Sequence, residues 1–191
     1  PYIGPLLTWD ASVEPHSGVV VTFETSVPCL GTVEYGTSAA LGGSALGQEV
    51  ATLHHIPLEG LPADTTIHYR VSDSAGHDSE VFTFRTAPED PHTVRFAAMA
   101  DMQESGEGHS RWDDVADQVA IGHPDLDFLL MPGDLPFDDE QGHWWTFFDQ
   151  GRELFAGVVS LPAVGNHDTP GIPHHPDTTR FRAYYALPYP E

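Results

Sequence analysis

Leu126-Asp127-Phe128-Leu129-Leu130-Met131-Pro132-Gly133-Asp134 decides how the second half of this chain is read. A short apolar run from Leu126 to Met131 fits a buried strand, and Gly133-Asp134 ends it. The same phrase stands on either side. Upstream, Thr93-Val94-Arg95-Phe96-Ala97-Ala98-Met99-Ala100 reads as a buried strand ending at Asp101. Downstream, Val158 to Val164 reads as a strand ending at Gly165-Asn166-His167-Asp168. Between them, residues 110–121 fit a helix with Trp112, Val115, Val119 and Ala120 on one stripe. Residues 140–155 fit a second helix, whose Trp144, Trp145, Phe148 and Phe155 can cover a sheet. Strand, helix, strand, helix, strand predicts an α/β layered architecture.

The rhythm changes at Thr86-Ala87-Pro88-Glu89-Asp90-Pro91, which reads as a linker between residues 1–88 and 89–191. Before it, short β-rich runs alternate with turn clusters. The runs are Leu6–Trp9, Gly18–Thr25, Gly31–Tyr35, Val50–Leu58, Thr66–Ser72 and Glu80–Arg85. Roughly seven short strands spaced by turns predict an antiparallel sandwich. The stretch from Leu58 to Val71 resembles the corner before the sixth strand of a fibronectin type III domain. That resemblance covers about residues 4–87 and implies that Leu61 plugs the core and Tyr69 faces inward.

Composition bounds the function. The chain has 191 residues, 29 acidic and 7 basic, for a formal net charge of −22, and every basic residue is Arg. Such a charge repels a phosphate backbone, so nucleic acid is an unfavourable partner. A hydrophobic fraction of 40% can build a core, so the acidity does not signal disorder. No apolar run reaches the ~18 residues of a membrane span. High acidity without Lys suggests a salt-tolerant source, since screening relieves self-repulsion. Cys29 is alone, which excludes an internal disulfide and fits a small buried thiol. With no signal peptide or initiator Met, and both ends in mid-phrase, the sequence reads as a fragment of a longer protein. Its expected location is extracellular or periplasmic. Composition says nothing of oligomeric state.

The polar residues fall in one place. Asp101, Asp134 and Asn166 each lie just beyond the C-terminal end of a successive strand, the edge where open α/β sheets bind ligands. These oxygen donors, with Gln103 and His167 beside them, suit divalent or trivalent cations. Two carboxylates also suit a general acid and base pair. Asn166 between Gly165 and His167 favours metal, because an amide coordinates through oxygen but does not transfer protons at neutral pH. Read as ordinary turns, Gly133-Asp134 and Gly165-Asn166 have no reason to share that edge.

The ordered set Asp101-Met102-Gln103, Gly133-Asp134 and Gly165-Asn166-His167-Asp168 resembles the calcineurin-like metallophosphoesterases. With a fibronectin-like module before it, the whole resembles a purple acid phosphatase. The implied fold is an all-β fibronectin type III-like sandwich followed by a partial α/β metallophosphoesterase sandwich. The resemblance implies two metal ions, of Fe, Mn or Zn. Asp101 would bind the first, Asp134 would bridge both, and Asn166 would bind the second through its side-chain oxygen. His167 would stabilise the transition state or protonate the leaving oxygen. A hydroxide on the metals would attack a phosphate monoester or diester.

Two residues depart from the family pattern. Gln103 stands where a His ligand is common, and can offer an amide oxygen or hold a metal-bound water. Phe137 stands where purple acid phosphatases place a ligand Tyr, and has no donor atom. The site therefore resembles the wider calcineurin-like class more than the purple enzymes, and no purple colour is expected. The resemblance also calls for His ligands after the third motif, so this stretch is expected to be inactive alone. The other histidines, namely His16, His54, His55, His68, His77, His92, His109, His123, His143, His174 and His175, read as structural, loop or surface residues, and Arg180 and Arg182 as surface cations. Two rival readings stand: a surface- or carbohydrate-binding module with an inactive metallophosphoesterase-like domain, and a phosphodiesterase acting on nucleotides or lipid headgroups.

Overall fold

Alternating apolar residues build two antiparallel sheets from the first half of the chain. In the computed structural model, which describes residues 3–90, 93–103, 111–170 and 177–187, these strands are β1 (Ile3–Thr8), β2 (Val19–Cys29), β3 (Thr32–Gly36), β4 (Gly43–Leu46), β5 (Ala51–Leu58), β6 (Thr66–Ser72) and β7 (Phe82–Arg85). One sheet has the order β1-β2-β5 and the other β4-β3-β6-β7. β6 shows the logic: Ile67, Tyr69 and Val71 are buried while His68 and Arg70 between them are only half-buried, the period of two that a strand imposes. Leu7, Val21, Phe23 and Ile56 of one sheet share a core with Val33, Tyr69, Val71 and Phe84 of the other. Leu61 joins that core, and Cys29 is a buried free thiol. The reading of the sequence did not anticipate β4. Its small residues give no apolar alternation, Leu46 is exposed, and the strand exists through its pairing with β3.

The second half contains β8 (Phe96–Ala98), α1 (Trp112–Gly122), β9 (Phe128–Met131), α2 (Gln141–Gln150), α3 (Arg152–Gly157), β10 (Val159–Pro162) and α4 (Thr179–Tyr184). The three strands form a parallel sheet in the order β10-β9-β8, with Phe96 and Val159 both in register with Phe128. Alternation splits β9 between its faces. Leu129 and Met131 meet Trp112, Trp144, Phe147 and Phe155 in a helix-covered core, while Phe128 packs toward the core of the antiparallel sheets.

Several expectations need correction. The first parallel strand was expected to be buried over residues 93–100. Only Phe96–Ala98 pair, and Phe96 is 51% exposed, because β8 is an edge strand and Phe96 covers only one side by stacking on Phe128 at 5.4 Å. The helix expected over 140–155 breaks at Gly151. A Cβ there would lie 2.4 Å from the Phe155 ring and 2.7 Å from Trp112, so the close approach of those rings requires glycine. Trp145 and Val115 face outward, each 43% exposed. α4 was not anticipated.

The two halves pack tightly. α3 lies against β1 and β7, Ala156 and Val159 enter the core of the antiparallel sheets, and Leu6 enters the helix-covered core. The Tyr69 hydroxyl donates to the Ala156 carbonyl at 2.8 Å. Across the same junction, the Glu24 carboxylate accepts Trp145 Nε1 at 3.0 Å, the Tyr184 hydroxyl at 3.0 Å and Gln141 Nε2 at 3.4 Å. Among the described residues no helix is long and apolar enough to cross a membrane.

Candidate metal centre

Parallel pairing puts the C-terminal ends of β8, β9 and β10 side by side, and the three following loops are tied together by their backbones. The Asp101 N–H donates to the Gly133 carbonyl at 3.4 Å and the Met102 N–H to the Asp134 carbonyl at 3.2 Å. The His167 N–H donates to Asp134 Oδ1 at 3.0 Å. Asp134 is therefore the hub between the loop that carries Asp101 and the loop that carries Asn166 and His167.

Backbone strain marks the same place. Asp101 has φ 54° and Asp134 φ 55°, both left-handed. This conformation costs a non-glycine residue about 1–2 kcal/mol, least for Asp and Asn. Gly133 has φ 99°, and Gly165 leaves no room for a side chain. A Cβ at 165 would lie 2.1 Å from Asp134 Oδ1. The glycines that end the strands let the second and third loops touch. Leu41 and Asp64 share this conformation elsewhere in the fold, but its occurrence on two carboxylates at neighbouring strand ends points to a functional site.

Asp168 is the residue that the sequence reading left without a role. It is fully buried. Its carboxylate accepts the backbone N–H groups of Asp134 at 2.9 Å, Leu135 at 2.8 Å and Gly165 at 2.7 Å. Burial pushes its carboxyl above the ordinary value and the Asp134 charge adds to that, while the three N–H groups pull it back. The signal available in the sequence was its place at the end of Gly165-Asn166-His167-Asp168, but the backbone partners of a side chain cannot be read from such a motif.

His167 Nδ1 lies 2.6 Å from the Phe137 carbonyl. A carbonyl only accepts, so Nδ1 carries the hydrogen and Nε2 is left to act. The Phe137 ring is 6.3 Å from the His167 ring. Gln103 lines an open cavity of about 380 Å³ together with Asp101. Next to Phe137, whose ring is 5.4 Å from that of His143, Asp138, Glu140 and His143 bring ligand atoms within 4.8 Å of one another, a grouping not foreseen. There Asp138 Oδ1 meets His143 Nδ1 at 2.5 Å. Burial pushes the Asp138 carboxyl up, but hydrogen bonds from His143 and the Glu140 N–H, and the charges of His143 and His167, hold it below its ordinary value. His143, expected at the surface, is half-buried in this pair. Arg180, also expected at the surface, pairs with Asp139 at 3.0 Å. His92, His109, His174 and His175 lie outside the described residues.

No protein-family model matches the chain. Purple acid phosphatase 18 of Arabidopsis thaliana is 30% identical to it over 184 residues, covering 90% of this chain and 39% of that protein. Purple acid phosphatase 22 of the same plant is 28% identical over 172 residues, covering 83% and 37%. The solved structure of purple acid phosphatase PPD1 from yellow lupin (Lupinus luteus) seeds matches with a TM-score of 0.69 at 17% identity, over 87% of this chain and 35% of that one. That of PhoD matches with a TM-score of 0.64 at 14% identity, over 87% and 39%. The chain is purple acid phosphatase-like. Its relatives support a place in a metal-dependent phosphoesterase family. It spans under two-fifths of the length of those curated relatives.

Proposed function

We propose that this chain is part of a hydrolase that cleaves phosphate monoesters or diesters at a two-metal centre. Residues 1–88 form its fibronectin type III-like sandwich and residues 89–191 the first part of its metallophosphoesterase domain. Extracellular or periplasmic placement belongs to the same reading.

The observation that carries it is the junction of three strand-end loops on Asp134, with Asp101 and Asp134 both in the left-handed conformation. The donor set fits the ions. Asp101 and Asp134 supply carboxylates, Asn166 and Gln103 amide oxygens, and such hard donors suit Mn, Zn or Fe(II) when imidazoles complete the shell. Asp101 would hold one ion, Asp134 would serve both and Asn166 would hold the second. Bound there, the pair supplies Lewis acidity toward the phosphoryl oxygens and lowers the pKa of water. His167, with Nδ1 engaged by the Phe137 carbonyl, presents Nε2 to protonate the leaving oxygen. Asp168 takes no part in proton transfer, because its oxygens are committed to backbone N–H groups.

The test is Asp134→Ala in the complete protein, with metal content by elemental analysis and turnover of a nitrophenyl phosphate ester. Both should fall together. Wild-type metal content in the variant would sink the bridging role. Complete protein that takes up no metal and turns over no ester would favour the inactive binding module.

A further inference from the structure

The chain's guanidinium groups are few and almost all engaged. Among the described residues, Arg70 pairs with Glu34 and Asp78, Arg85 with Asp64, Arg95 with Asp125, Arg152 with Glu80 and Arg180 with Asp139. Arg182 also has a partner. Arg111 has none among the described residues, although Asp113 and Asp114 stand two and three positions away. In a protein with 29 acidic residues against 7 arginines, a guanidinium without a carboxylate is the exception.

Its position is specific. Arg111 is the N-cap of α1, and it lines the same open cavity of about 380 Å³ as Asp101 and Gln103. That volume lies in the range of small-molecule sites, ~300–1,000 Å³. Met99 and Val115 add apolar surface to its lining. The cavity therefore has both a cation and a strand-end carboxylate in its lining, with room for an organic group.

We propose that Arg111 is an anion-anchoring residue of this site and grips the phosphoryl oxygens of the substrate. The inference rests on the two-metal reading above for its substrate class, but not for the binding itself. A planar guanidinium donates two parallel N–H bonds to a tetrahedral oxyanion, which a point charge cannot match. In a chain of net charge −22, a cation that has no carboxylate partner among the described residues also offsets, at the cavity, the repulsion that an approaching phosphate meets. The apolar lining then seats the organic part of the ester.

The test is titration of inorganic phosphate into ¹⁵N-labelled chain at constant ionic strength, with and without stoichiometric Zn²⁺. It is followed through the Arg111 Nε–Hε signal, which is identified by its loss in Arg111→Gln. Wild type should show a saturable shift. Arg111→Gln, followed through backbone signals of Met99 and Val115, should bind phosphate about ten- to a hundredfold more weakly, the loss of a charge-assisted pair. Arg111→Lys should fall between, and Arg95→Gln should match wild type. Circular dichroism checks that each variant folds. Phosphate affinity indifferent to Arg111, or no saturable phosphate binding in either metal condition, overturns the proposal. The two readings separate cleanly. Absence of metal from the complete protein, by elemental analysis, with Arg111-dependent phosphate binding removes the metal centre alone, whereas metal in the complete protein with Arg111-independent phosphate binding removes the anchor alone.

Discussion

The buried Asp168 carboxylate accepts the backbone N–H of Asp134 at 2.9 Å, so one candidate ligand is positioned by a residue 34 places later in the chain. The same carboxylate holds Leu135 and Gly165, which makes it the clamp between the β9 and β10 loops. Asp168→Ala leaves those N–H groups without their acceptor, that of Leu135 in a fully buried position. A drop in stability of about 3 kcal/mol is expected, since each unmet buried donor costs ~1–3 kcal/mol. Urea unfolding measures it. A loss below ~0.5 kcal/mol would show that the clamp does not hold the loops.

Glu24 joins the two halves through Trp145, Tyr184 and Gln141. Burial and the Glu24 charge push the Tyr184 phenol well above its ordinary pKa. Glu24→Ala should lower stability by about 1–3 kcal/mol and shift the fluorescence of Trp145, whose indole loses its carboxylate. Thermal unfolding should broaden or split as the halves uncouple. A sharp single transition at the wild-type temperature, with unchanged emission, would mean the contact contributes nothing.

His167→Ala in the complete protein should keep its metals yet lose turnover by roughly 10²–10⁴-fold, the usual reach of a positioned proton donor. Esters with good leaving groups should suffer less than alkyl esters, because they need no proton. Equal losses on both would assign His167 to transition-state electrostatics instead.

His54 is 4% exposed and sits among Thr25, Cys29 and the Phe23 ring. Burial lowers its pKa below the ordinary 6.5, and the neighbouring His55 charge lowers it further. The folded chain therefore holds it neutral, while the unfolded chain protonates it near 6.5. The stability from this residue is present above that value. It falls as pH drops from 6.5 toward the folded pKa, since the unfolded state then binds more protons. Urea midpoints for wild type and His54→Gln, compared between about pH 7.5 and 5.5, should converge on acidification. A constant difference would exclude linkage through His54.

Local pattern determined a good part of this protein. β6 is as long as its alternating residues predict, Thr66–Ser72, because one buried face imposes a period of two whatever lies beyond it. Aspartates and glycines after apolar runs placed Asp101, Asp134 and Asn166 at strand ends, and parallel pairing brings those ends to one edge. What the tertiary structure decided depends on partners remote in sequence. The Tyr69 hydroxyl finds Ala156 across 87 positions and Glu24 finds Tyr184 across 160. No period in the sequence records such separations, so the junction of the halves was not legible. The exposure of β8 and the break at Gly151 follow from which neighbours arrive, an edge left unpaired and two rings pressed on one backbone. Asp168 and Arg111 show both sides of the same physics. Their residue types were visible, but an acceptor is defined by the donors that surround it and a cation by the carboxylates that do or do not reach it, none among the described residues for Arg111. Folding alone sets those surroundings.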